Sequence, residues 1–598
     1  MAAGKDRKAR RRGVKLASGA DSGRPASNTP RTLLWAVALF ILTIAFYVPA
    51  MRSGFVWDDD AYVTENETLR SLEGLQRIWL EPGATPQYYP LVFTTFWLEM
   101  RLWNLQLAGF HVVNVLLHAL GAVLLFILLR RLGIRGAWVA AALFAFHPVH
   151  VESVAWVTER KNVLSGVFYL SSLLAFVPFL KSPCCMDAAS RRRWTLALAA
   201  FLLAMLSKTS TVTLPAALLL LIWWNTGRIN RRDVLRVVPF FVLAIAMGAV
   251  TAVVEWYNLG GTGEGALGDT WRLHPVERVM AAGRTACFYV QKLLWPAGLA
   301  FVYPTWTPDM SRTRQFLYPT AVLGAMLALW LAQKRFGRGP LTALLYFVGT
   351  LVPVSGFFNI FYFRYSLVAD HFQYLPSIGV FALLTSTLAR ALERIERNKP
   401  RLPAALAVLA LIILGSLCWH RQLAFKDAET LWRDTLAKNP ACWLAHNNLA
   451  NLLGSHGQLA AAEHHFDQAV KFNPNLAEAH SNLGAMLAQR GENERALHHF
   501  SEALRLEPRL VMVHQNVGAL LSTMGKFEEA ASHFAEVVRA MPENAPARLK
   551  LGAALIRTGN IDQALVHFTK AAKLAPDDAH AARALRTAEE LKRQRSQQ

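Results

Sequence analysis

The sequence predicts an all-α protein in two parts, a polytopic helical membrane domain of about 11 spans followed by an α-solenoid of short repeats. Three observations predict it. Hydrophobic residues make up 53% of the 598 residues and charged residues 17%, against about a quarter charged in soluble domains. Apolar stretches separated by short basic loops recur from residue 33 to residue 419. Beyond 421 the composition turns polar and a 34-residue period sets in.

Residues 1–31 carry nine Lys or Arg against two Asp and no apolar periodicity, which predicts a disordered basic cytoplasmic tail. The apolar run 33–50 is too long for a signal-peptide core and reads as a retained signal anchor. Further runs follow at 110–130, 136–147, 162–181, 194–207, 211–226, 235–255, 282–301, 316–333, 339–358, 372–390 and 403–419. The loops Arg130–Arg135, Arg191–Arg193, Arg228–Arg232, Lys334–Arg338 and Arg390–Arg401 are basic, and the positive-inside rule puts them in the cytoplasm. These assignments agree only if one run does not cross. The run 282–301 contains Arg284, Gln291 and Lys292 and ends in Trp295-Pro296, the pattern of an interfacial or re-entrant helix. The C-terminus then lies opposite the N-terminus.

In the C-terminal part Gly457, Gly491, Gly525 and Gly559 are spaced by 34, as are Pro440, Pro474, Pro508, Pro542 and Pro576. Trp432, Phe466, Phe500, Phe534 and Phe568 keep that spacing, and so do Ala428, Ala462, Ala496, Ala530 and Ala564. Glycine turns between two helices, alanine at a close crossing and proline closing each unit are the tetratricopeptide (TPR) pattern. The sequence therefore divides into the tail 1–31, a membrane domain 32–419 with an outer loop 51–109, a half repeat plus four full repeats over 420–578, and a capping helix 579–598.

The net charge of +22 is not the footprint of a nucleic-acid-binding face, because the basic residues sit in loops between apolar segments and in the tail. The five cysteines, Cys184, Cys185, Cys287, Cys418 and Cys442, have neither a disulfide framework nor a metal spacing. Cys184 and Cys185 are expected as free thiols in a cytoplasmic loop.

Four clusters of polar residues fall on the outer face. Asp58, Asp59 and Asp60 follow the first apolar run; packed carboxylates raise one another's pKa and suit a general base, or form a solvated acidic turn. His147, His150 and Glu152 precede Glu159-Arg160-Lys161-Asn162. Pro148 breaks the histidine spacing and no third imidazole is in view, so no metal is assigned. Arg160 and Lys161 either hold a lipid phosphate or snorkel to headgroups. Arg364, Asp370 and His371 stand where a helix re-enters the bilayer, a costly place for charge unless they line a site. Lys208 is the fourth.

Phe55-Val56-Trp57-Asp58-Asp59, Tyr89-Pro90-Leu91, His111 through His118, His147 through Glu152, and Val368-Ala369-Asp370-His371 through Ser377 resemble the transmembrane and tetratricopeptide-repeat O-mannosyltransferases and their bacterial relatives, of the C-type glycosyltransferase fold. The resemblance implies a polyprenyl- or dolichyl-phosphate sugar as donor, an outward active site, and Asp58 or Asp59 as catalytic base. Thr209 where an acidic residue is common, Asp370-His371 in place of Glu-Arg, and Tyr88-Tyr89 in place of Tyr-Arg depart from the pattern and leave the donor sugar open.

The expected function is an inverting sugar transfer to a protein hydroxyl on the non-cytoplasmic face. Arg160, Lys161, Arg364 and His371 would hold the donor phosphate, with Glu152, Asp370, Lys208 and His147 in support. The repeats would bind the acceptor, with Asn448, Asn482 and Asn516 either an amide ladder for its backbone or packing residues. Transfer to cell-envelope glycan or lipid, and a non-catalytic membrane scaffold, are the alternatives. The Ala- and Arg-rich composition suggests a bacterial cytoplasmic membrane with the repeats periplasmic; in a eukaryote they would be in the ER lumen. No cofactor beyond the donor is expected, and any divalent-metal requirement is open.

Overall fold

The computed structural model describes residues 30–181, 187–258, 273–398 and 401–597, and every regular element in them is helical. The basic tail up to residue 29 and Cys184-Cys185 lie outside the described residues.

Among the described residues four helices are long and apolar enough to cross a membrane, Leu107–Arg131, Val157–Leu180, Arg231–Val254 and Leu402–Leu423. A fifth candidate is a bent pair, Ala137–Phe146 with Pro148–Ala155, angled by 52°. Pro148 causes the bend, since its ring and missing N–H cannot continue a helix. Other apolar helices are shorter. Leu214–Thr226 has 13 residues and Leu317–Leu331 has 15, about 20–22 Å at ~1.5 Å per residue against a hydrocarbon core of ~30 Å. Any crossing there needs help from the chain on either side. Pro275–Leu294 is amphipathic and not among the long apolar helices. Leu406, Val408, Leu409, Ile412 and Ile413 of Leu402–Leu423 are exposed, a bare apolar face of the kind lipid covers.

The segment 51–109 folds over this bundle, with helices Leu72–Leu80 and Pro90–Trp103 and a separate apolar core around Tyr62, Phe93, Phe96 and Phe110. Helix Leu107–Arg131 packs on Arg160–Lys181 and on Pro30–Phe46. Their shared core is continuous with that of the repeats.

After Leu423 a short turn leads to helix Ala428–Lys438, capped by Asp427, which accepts from the Thr430 N–H at 2.8 Å. This half repeat sits on the membrane domain. The Gly54 N–H donates to Lys426 O at 2.7 Å, Asn439 Nδ2 donates to Val302 O at 3.2 Å, and Trp432 meets the rings of Phe301 and Trp57. Four helical hairpins follow, Trp443–Ser455/Leu459–Phe472, Ala477–Gln489/Asn493–Leu506, Val511–Thr523/Phe527–Ala540 and Ala545–Arg557/Ile561–Leu574, then the cap helix Ala579–Ser596. Gly457, Gly491, Gly525 and Gly559 turn each hairpin at φ of +75 to +80°, where a side chain would be strained. A second glycine register, Gly484, Gly518 and Gly552, lets the helices close: a Cβ there would lie 2.5–2.8 Å from the rings of Phe500, Phe534 and Phe568.

Candidate active site

The first two carboxylates of the acidic triplet in segment 51–109 are held differently. Asp59 is fully buried, and both its oxygens are occupied. Oδ2 accepts from the Val56 N–H at 2.9 Å, and Oδ1 accepts from the Thr158 N–H and hydroxyl, each at 2.7 Å. Burial and then the neighbouring Asp58 push its pKa up to about 7. Asp58 is only half-buried, and its Oδ1 has no hydrogen-bond partner. Burial raises its pKa to about 6, and Lys161 opposes that rise. Asp59 thus ties the loop to Thr158, while Asp58 keeps one buried oxygen without a hydrogen-bond partner. Asp60 is exposed and bonded to Thr64.

Trp57 precedes them at φ +49°, a left-handed conformation uncommon for a residue with a side chain. Its indole stacks on Trp156 with centroids 5.3 Å apart and touches Phe301, Tyr362 and Tyr365. This aromatic packing holds the strained turn and fixes the direction of Asp58.

Beneath lies a charge cluster centred on Glu159. Its carboxylate pairs with Lys161 Nζ at 3.0 Å and Lys208 Nζ at 3.3 Å. Asn162 Nδ2 donates to Glu159 at 2.5 Å and to His371 O at 2.9 Å, while Asn162 Oδ1 accepts from Lys208 Nζ at 2.7 Å. His371 lies between two carboxylates, Nδ1 at 2.5 Å from Glu152 Oε1 and Nε2 at 3.9 Å from Glu159 Oε1. Burial lowers its pKa to about 3, so the ring is neutral near pH 7 and poorly suited to holding an anion. Burial also lowers Lys208, to about 8. A narrow cleft of about 20 Å³ opens beside Lys208, Asn162 and His371.

Asp370 belongs to an adjoining pair of groups. Tyr303 donates to its Oδ1 at 2.8 Å, its Oδ2 has no partner, and burial raises its pKa to about 6. Arg421, at the end of the last apolar helix, donates to Asp434 of the half repeat at 2.7 Å and has a second buried nitrogen without a partner. Asp370 and Glu152 both feel its charge.

The structure therefore brings Asp58, Lys161, Lys208, Glu152, Asp370 and His371 to one end of the bundle. Asp59 lies beside them on Thr158, while the remaining predicted residues are engaged elsewhere. The Arg160 guanidinium is fully buried in a fork with Glu99 and donates to Asn114, Thr95 and Phe110 O. Every donor is engaged away from the cluster, and Arg160 neither snorkels nor faces it. Arg364 lies over the rings of Phe361 and Tyr365. His147 bonds to Leu293 O at 3.1 Å. Asn448 donates back to Leu444 O in its own helix, and Asn482 donates to Asn447 Oδ1 at 3.3 Å; no ladder runs through Asn516 in the hydrogen bonds of the described residues.

Sequence reasoning gave no role to Glu159, Asn162, Thr158, Tyr303 or Arg421. Glu159 was visible as the acid beside Arg160-Lys161 at a helix start. Arg421 carried no signal, since an arginine closing an apolar helix looks like an ordinary snorkelling residue.

Two tetratricopeptide-repeat family models match the chain, over residues 447–509 and 521–588. Protein O-mannosyl-transferase F38B6.6 of Caenorhabditis elegans is 24% identical over 74% of this chain and 63% of its own length. Protein O-mannosyl-transferase TMTC4 of Homo sapiens is 27% identical over 70% of this chain and 64% of its own. The chain thus spans a little under two thirds of these curated relatives. Among solved structures, the TPR protein YrrB is 23% identical over 33% of this chain and 96% of its own, with a TM-score of 0.24, too slight a likeness to carry weight beyond the repeat models.

Proposed function

Because the chain is a homologue of the protein O-mannosyltransferases that carry tetratricopeptide repeats, we propose that it transfers a sugar from a polyprenyl-phosphate donor to a hydroxyl of a protein acceptor. The reaction takes place on the non-cytoplasmic face, and the repeats bind the acceptor. The observation that carries the reading is the division of labour in the acidic pair. Asp59 spends both oxygens on the loop, whereas Asp58 keeps one unpaired beside Lys161.

Asp58 takes the proton of the acceptor hydroxyl as its oxygen attacks the anomeric carbon, and the bond from that carbon to the phosphate oxygen breaks. Inversion follows from attack opposite the leaving group. Lys161 and Lys208 take up the charge that builds on the departing lipid phosphate. Glu159 and Asn162 hold the two ammonium groups in position. Neutral His371 serves as a hydrogen-bonding spacer between Glu152 and Glu159 rather than as a phosphate ligand. Arg160 with Glu99 braces the outer loop against helix Leu107–Arg131. The half repeat docked on Trp57 and Phe301 puts the start of the repeat groove next to Asp58.

The test is transfer of radiolabel from polyprenyl-phosphate mannose, glucose or N-acetylglucosamine to Ser/Thr peptides by the detergent-purified chain. Transfer from one donor, lost in Lys161→Ala/Lys208→Ala, is expected. No transfer from any donor by a folded chain that still binds peptide refutes the proposal.

A further inference from the structure

The repeats carry a second 34-residue register that sugar transfer leaves unused. His446, His480 and His514 recur on the first helix of successive hairpins, and His465, His499 and His533 on the second. In each hairpin the two rings meet, with Nδ1 to Nδ1 distances of 2.9, 3.1 and 2.9 Å. Nε2 of the first ring lies 3.1, 3.2 and 3.0 Å from the carbonyl oxygen of Pro440, Pro474 and Pro508. A carbonyl only accepts, so Nε2 carries the hydrogen, and the neutral ring presents a lone pair at Nδ1.

We propose that the three pairs are cis-diimidazole sites for a divalent transition metal that favours tetragonal geometry, copper(II) or nickel(II), one per hairpin. Two features of the pairs support this. A ring whose other nitrogen donates to a backbone carbonyl has the outer-shell arrangement of a metal-bound histidine, with tautomer and orientation already set. Imidazole–metal bonds of about 2.0–2.1 Å to nitrogens this far apart subtend about 90–100°, the cis angle of a square-planar or tetragonal ion; a tetrahedral ion needs them about 3.3–3.4 Å apart. In the metal-free pair the second ring supplies the shared Nδ1 proton. On ligation that proton passes to its own Nε2, so no net proton is released.

The fourth hairpin is a natural control. Arg548 takes the place of the first histidine, donates through Nε and Nη2 to Pro542 O at 2.9 and 2.7 Å, and offers Nη1 to His567 Nδ1 at 3.4 Å. A guanidinium has no lone pair to give, so this hairpin holds no site. Among the described residues no group of three or more His, Cys, Asp or Glu side chains is placed to hold a metal, which leaves the remaining positions at each pair to water. Each pair is only part-buried and so open to an entering ion.

The experiment uses the full chain in detergent, purified without a polyhistidine tag and stripped with chelator, then titrated with Cu²⁺ and read by calorimetry and electron paramagnetic resonance. Three equivalents with nitrogen hyperfine coupling are expected above the background of the His446→Gln/His480→Gln/His514→Gln chain. Each single change to Gln, which keeps a donor for the proline carbonyl, should remove one equivalent, and Arg548→His should add one. Circular dichroism confirms that each variant folds. Equal Cu²⁺ binding by the triple variant and the parent overturns the proposal. So does a parent that binds no more than background, in which case the pairs serve only to share a proton.

Discussion

Replacing Asp58 by Asn should abolish sugar transfer without unfolding the protein, and replacing Asp59 by Asn should do the reverse. An amide at 58 cannot accept the proton, and loss of a general base costs about 10²–10⁴-fold in rate, or roughly 3–5 kcal/mol of barrier. Little stability should be lost. The Asp58 Oδ1 has no partner to forfeit, and burial has raised the group's pKa to about 6. A raised folded-state pKa means that the charged form is the disfavoured one, so its stabilising contribution is lost as pH rises through about 6. Above that pH a neutral Asn should unfold no earlier than the parent. At 59 the three bonds from Val56 and Thr158 all need acceptors. An amide offers only one acceptor oxygen and turns two hydrogens toward one of these donors, costing about 1–3 kcal/mol. The assay is initial rate of transfer per folded molecule, with thermal unfolding in the same detergent. An Asp58→Asn chain with parental rate, or an Asp59→Asn chain that is as stable as the parent yet inactive, would refute the division between the two.

Further outcomes follow from the same geometry. The transfer rate should be bell-shaped in pH, rising through about 6 as Asp58 loses its proton and falling through about 8 as Lys208 loses its own; a Lys208→Arg chain that is still active should keep the acid limb and lose the alkaline one. Glu99→Gln leaves the buried Arg160 guanidinium without its counter-charge and should cost about 3–5 kcal/mol in thermal unfolding; a shift within error would show that Arg160 finds another partner. Gly484→Ala puts a methyl 2.8 Å from the Phe500 ring and should destabilise the repeats by about 1–3 kcal/mol by overpacking, read as earlier loss of helical signal. Gly457→Ala meets no such neighbour and should cost only the strain of its φ of +75°, about 1–2 kcal/mol.

Much of the architecture was legible in the sequence because it depends on local rules. Glycine at a left-handed turn, alanine at a helix crossing and a phenylalanine filling the gap recur at a fixed spacing, and each hairpin needs only its neighbours. Apolar runs between basic loops are equally local. The acidic triplet after the first apolar helix was equally plain in the sequence.

Which acid keeps an unpaired oxygen was decided by tertiary structure. Asp58 and Asp59 differ by one position in the chain, and the approach of Thr158, 99 residues away, occupies an oxygen of Asp59. Arg160 and Lys161 are neighbours with the same charge, yet Glu99 captures one and Glu159 the other. The span count met the same limit, because helices of 13 or 15 residues depend on flanking chain to cross. Composition and period report where a residue sits relative to its own helix. Hydrogen bonds and ion pairs, which reach only about 3 Å, are settled by which distant segments the packed bundle brings within that reach.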